Sequence, residues 1–131
     1  MLRGRLHDLL VRLVLGMKYG SQASVAFGAG HHHPNGWCGD HPHGHRYTVT
    51  VTWQREGYPE TDHDEWVLVR QRILDLALEL KNRELDKMLL PTVPNVFGMA
   101  SFFMERLSIN VPVTRVEVRE DDDPVATIDR D

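Results

Sequence analysis

The chain has one cysteine, Cys38, so it can form no internal disulfide, and the 131 residues read as a protein of a reducing, cytoplasmic compartment. It has no apolar run near the ~20 residues that span a bilayer, which excludes a membrane helix. It lacks an excess of positive charge: 15 Lys and Arg against 19 Asp and Glu leave a formal charge of -4. Nucleic acids and anionic membranes are therefore not expected partners, although a small anion could still find a local basic pocket. Internal repeats and low-complexity segments are missing too. The 41% hydrophobic and 26% charged content is that of an ordinary globular domain.

Histidine is the residue in excess. Six of the eight histidines (His31, His32, His33, His41, His43 and His45) fall within fifteen residues that also contain Cys38. His7 and His63 lie apart and read as solvated surface residues.

Residues 1–18 carry Leu6, Leu9, Leu10, Leu13 and Val14 at helical spacing, which predicts an amphipathic packing helix. Asp8 and Arg12 interrupt the apolar stretch that a signal peptide needs. Met17 would also serve as a start, so we treat 1–18 as an N-terminal helical extension and 19–131 as a single domain. Alternation predicts strands over 20–31, 45–54, 113–120 and 125–128, and apolar periodicity predicts helices over 66–80 and 96–107. The turn residues Pro34-Asn35-Gly36 and Asp121-Asp122-Asp123-Pro124 separate the strand pairs. Two strands, two helices and two strands indicate an α+β fold, with an antiparallel four-stranded sheet and both helices on one face.

His43 and His45 flank Gly44 at the start of a strand, where residues i and i+2 share a face and both imidazoles can reach one metal ion. A third histidine has to come from a neighbouring strand, and His31, at the end of the preceding one, is best placed. Three nitrogen donors leave a tetrahedral zinc ion one open position, as catalytic sites do. The bland alternative is a loop of surface histidines. His32, His33 and His41 read as loop residues or as supports of the ligands. Cys38 could be a fourth ligand or a base; a thiolate ligand would close the site, which favours the base. Glu120 takes the place of the next inward apolar residue of its strand. A buried carboxylate there calls for a donor, such as a ligand with a guanidine-like N–H pair or, more blandly, a rim arginine.

These residues resemble the 6-pyruvoyl-tetrahydropterin and 6-carboxy-tetrahydropterin synthase family. Phe27-Gly-Ala-Gly-His31 is similar to its Phe-x-Ala-x-His motif. Cys38 followed by His43-Gly44-His45-Arg46-Tyr47 is similar to its cysteine and His-Gly-His motif, and Val116 to Glu120 resembles its closing strand. The resemblance implies zinc on His31, His43 and His45, Cys38 as the proton-abstracting base, and Glu120 on the pyrimidine edge of a pterin, with Phe27 and Phe97 near the substrate. It implies a tunnelling fold (T-fold) whose barrel closes on oligomerisation, as a homotrimer or a homohexamer built as a dimer of trimers. The implied activity is a zinc-dependent lyase that converts 7,8-dihydroneopterin triphosphate, in 7-deazapurine or queuosine-type synthesis.

The chain departs from the pattern at four places. Asp86-Lys87 replaces an Asp-His relay, and Pro94-Asn95-Val96-Phe97 stands where Pro-Thr-x-Glu is usual. Cys38 is one residue further from the His-Gly-His motif, and Val69 replaces an aspartate. Lys87 relays protons only where burial or nearby positive charge lowers its pKa. Two alternatives follow: a zinc enzyme of the same fold with another substrate, or a non-catalytic pterin- or metal-binding relative.

Overall fold

The computed structural model describes residues 4–9, 18–31, 43–56, 62–81, 95–121 and 125–130, with the side chains of 30, 31 and 43–45 left undescribed. Strands β1 (Lys18–His31), β2 (His43–Glu56), β3 (Val113–Glu120) and β4 (Val125–Asp129) form one antiparallel sheet in that spatial order. Helices α1 (Asp62–Leu80) and α2 (Val96–Leu107) lie between β2 and β3 in the chain. α1 packs on β1, and α2 on β3 and β4.

Both helices cover the same face, and the strand alternation shows why. Ala23, Val25, Phe27 and Ala29 of β1, with Tyr47, Val49, Val51 and Trp53 of β2, are all buried. They meet Val69, Ile73, Leu76, Ala77 and Leu80 of α1 and Met99, Phe102, Phe103 and Leu107 of α2, the stripes expected from the sequence. The opposite face is polar and stitched by cross-strand pairs. Ser24 and Thr50 hydroxyls lie 2.8 Å apart, and Arg115 Nε donates to Asp129 Oδ1 at 2.6 Å, an interaction that raises the pKa of Arg115.

Several element ends, and one register, differ from expectation. β1 begins at Lys18 and β2 covers 43–56, because the two strands pair along their whole length, from Lys18 with Glu56 to His31 with His43. α1 starts at Asp62, not Trp66: acidic residues suit the positive end of a helix, and Glu65 is held there by Trp53 and Arg55. In β3 the register shifts opposite Thr52 and Trp53, which pair with Arg115 and Val113. Thr114 is the extra residue of this bulge, so Val113 and Val116 both face the core despite their odd spacing.

Of residues 1–18 the structure describes 4–9 and Lys18; Leu10, Leu13 and Val14 of the expected apolar stripe lie outside the described residues. Residues 4–9 are helical, but Leu6 and Leu9 remain 59% and 55% exposed. Among the described residues no helix is long and apolar enough to cross a membrane.

Candidate active site

β2 outruns β3 at one end of the sheet. Tyr47 with Glu120 is the last pair on the β3 side, whereas on the β1 side pairing continues through Arg46 with Gly28, His45 with Ala29 and Gly44 with Gly30 to His43 with His31. Directly opposed residues share a sheet face, and so do residues two apart on one strand. His31, His43 and His45 therefore occupy register positions of the same parity as Phe27, Ala29, Tyr47 and Glu120, the parity of the core face. The β1–β2 register also puts His31 directly across from His43.

Glu120 is 7% exposed, the one buried charged residue among those described. It ends β3 opposite Tyr47, which is fully buried and faces Phe27 on the other side. The Phe27 ring lies 5.9 Å from Tyr47 and 6.2 Å from Phe103. Phe27, expected near the substrate, is thus a core ring beneath this end of the sheet.

Phe97 is 58% exposed in the first turn of α2. That helix is capped by Asn95, whose Oδ1 accepts from the Gly98 amide at 3.0 Å. α2 ends toward Ser108 and Val111, which border a hollow of about 340 Å³ with Lys18, Arg55 and Arg130. That hollow lies at the far end of the sheet from Glu120, so it is separate from the histidine and glutamate positions.

Cys38, Asp86 and Lys87 lie outside the described residues, as do His32, His33 and His41. No three His, Cys, Asp or Glu side chains cluster to hold a metal among the described residues, which do not include the imidazoles of 31, 43 and 45. Two residues of this end were passed over in the sequence. Tyr47 enters there only as the last residue of the His-Gly-His motif, and Asp121 only as part of a turn. Asp121 has φ 50°, a left-handed conformation that aspartate tolerates better than most residues.

The sequence model of the family described as 6-pyruvoyl tetrahydropterin synthase matches residues 22–131. Among solved structures, the chain resembles 6-pyruvoyl tetrahydropterin synthase of Caenorhabditis elegans with a TM-score of 0.71 at 18% identity, covering 88% of this chain and 97% of that one. It also resembles an uncharacterized protein of Wolinella succinogenes with a TM-score of 0.58 at 18% identity, covering 88% and 100%. At such identities these two likenesses speak to the fold. Comparison with curated proteins returned no significant match.

Proposed function

The chain belongs to the 6-pyruvoyl tetrahydropterin synthase family, and from that premise we propose that it is a zinc-dependent lyase acting on a pterin, with 7,8-dihydroneopterin triphosphate as substrate and a 6-carboxy-tetrahydropterin as product. The observation that supports this reading most strongly is the shared parity of Glu120 and the three histidine positions at one end of the sheet. The donor set fits zinc, since three imidazoles are a usual protein complement for a catalytic ion. When bound there, zinc would supply Lewis-acid polarisation of the substrate's side-chain oxygens, which makes the adjacent C–H more acidic.

Glu120 anchors the substrate in this account. Its carboxylate accepts two N–H bonds from the guanidine-like edge of the pyrimidine ring, and partial exclusion of water strengthens such charge-assisted bonds. Phe27, Tyr47 and Phe103 form a close-packed support under the strand ends, so that the glutamate is held before substrate arrives. Cys38, as a thiolate, removes the C–H proton, and Asp86 with Lys87 passes protons to or from the side chain of the substrate. The exposed ring of Phe97 offers an apolar face to a flat heterocycle.

Assembly into a homotrimer or homohexamer, a cytoplasmic location and a place in queuosine-type synthesis belong to the same proposal. The exposed phenylalanine at 97 also favours a second reading, the same zinc chemistry on a less polar substrate.

Incubation of the zinc-loaded protein with 7,8-dihydroneopterin triphosphate tests the first reading. Formation of a carboxy- or pyruvoyl-tetrahydropterin supports it. Unchanged substrate after prolonged incubation, followed by turnover once Lys87→His and Phe97→Glu are introduced together, shows that the parent acts on something else.

A further inference from the structure

Among the described residues, β2 beyond Tyr47 has strand pairing only with β1, so positions 43–46 and 28–31 form a two-stranded ribbon that projects past β3. Two strands alone are marginally stable in water, because they bury little and leave both edges open. This ribbon nevertheless carries all three proposed zinc-ligand positions, while the proposed substrate anchor, Glu120, sits on β3. Some contact has to hold one relative to the other.

Asp121 makes that contact at the root of the ribbon. Its N–H donates to the Arg46 carbonyl at 2.6 Å, and its own Oδ1 accepts from the Arg46 N–H at 3.1 Å. An ordinary strand residue opposite Arg46 would accept that bond with its backbone carbonyl. With φ at 50°, Asp121 instead leaves the extended strand conformation, and its side-chain carboxylate takes the carbonyl's place. The ladder thereby gains one more closed rung beyond the Tyr47–Glu120 pair, with a charged acceptor that makes the bond to a backbone N–H stronger than a neutral one. Arg46 lies between His45 and Tyr47, and Asp121 follows Glu120 directly, so the rung joins the two halves of the proposed site through single peptide units.

We propose that Asp121 is a positioning residue, which fixes Glu120 against the histidine-bearing ribbon by binding both backbone groups of Arg46. Its functional consequence rests on the zinc and pterin reading above; the clamp itself does not.

Three variants of the full-length, zinc-loaded protein separate the parts of this device. Asp121→Gly accepts the left-handed backbone but has no side-chain acceptor. Asp121→Asn keeps both an oxygen acceptor and tolerance of positive φ. Asp121→Ala loses the acceptor and adds backbone strain.

Amide hydrogen exchange at Arg46 should accelerate about tenfold or more in Asp121→Gly, as expected for a lost charge-assisted bond, while Val49 and Val51 exchange as in the parent. Asp121→Asn should recover most of the protection at Arg46, and Asp121→Ala should resemble the glycine variant or exceed it. With neopterin as probe, Kd should rise in the order Asn, Gly, Ala. Unchanged exchange at Arg46 in Asp121→Gly overturns the clamp. Acceleration spread evenly over Arg46, Val49 and Val51 also overturns it, because it shows global destabilisation rather than a local anchor. Altered exchange at Arg46 with an unchanged neopterin Kd in every variant overturns the positioning role. Failure of the parent to bind neopterin counts against the pterin reading, and the Arg46 exchange still decides the clamp.

Discussion

Replacing Glu65 should destabilise the protein more than replacing its ion-pair partner Arg55, because Glu65 serves two donors of different kinds. Arg55 Nε lies 3.0 and 2.9 Å from the two carboxylate oxygens, and the Trp53 indole N–H donates to Oε1 at 3.1 Å. The Arg55 and Glu65 side chains are 38% and 27% exposed, so water screens the pair and its loss costs about 0–1 kcal/mol. Trp53 is fully buried, and an indole N–H left without an acceptor costs about 1–3 kcal/mol. Arg55→Ala should therefore cost under about 1 kcal/mol and Glu65→Ala about 2–3 kcal/mol.

Urea unfolding at one fixed protein concentration measures both, so that any linked assembly equilibrium is held constant. Trp53→Phe provides the control: in that background the Glu65→Ala cost should fall toward that of Arg55→Ala, since no indole N–H remains to be stranded. Equal losses for Arg55→Ala and Glu65→Ala in the parent background would refute the reasoning and assign the stability to the ion pair.

Phe103→Ala should cost about 3–5 kcal/mol in the same assay, since the ring is fully buried and packs against Phe27 and Phe102. Asn95→Ala removes the cap of α2 and should cost about 1 kcal/mol, with Asn95→Asp retaining most of the stability. Glu120→Gln should weaken neopterin binding about tenfold or more, because the amide presents a donor where the carboxylate presented an acceptor; fluorescence titration reads this, and an unchanged Kd removes Glu120 from the site. Cys38→Ala should abolish turnover while metal analysis shows zinc retained; loss of the zinc would make the thiol a ligand instead.

The fold was legible where apolar alternation was uninterrupted. Tyr47 to Trp53, Val116 to Val118, and the stripes of both helices show their period directly, and the structure buries those side chains. Legibility failed where polar residues continue an element. The His- and Gly-rich approach to Tyr47 has no alternation, so the first two residues of β2 are strand only because β1 lies beside them. The acids before Trp66 carry no apolar periodicity, so the expected helix starts only at 66, although their charge suits the first turn of a helix. The bulge at Thr114 breaks the parity between Val113 and Val116, and no single-strand pattern announces that.

Glu120 could be singled out because an acid interrupted an inward apolar series. Asp121 could not, because its role depends on Arg46, 75 residues earlier in the chain, and on a left-handed backbone that composition does not reveal. The resemblance of the histidine and cysteine motifs supplied the roles; the strand register added the common face of the three histidine positions.

The account stands most directly on one zinc ion held by His31, His43 and His45. Metal analysis of protein never exposed to a nickel resin should find about one zinc per chain in the parent and in His32→Ala and His33→Ala, and sharply less in His31→Ala, His43→Ala and His45→Ala. Zinc that survives His43→Ala and His45→Ala combined would place the metal elsewhere and contradict the assignment of these strand ends as the active centre.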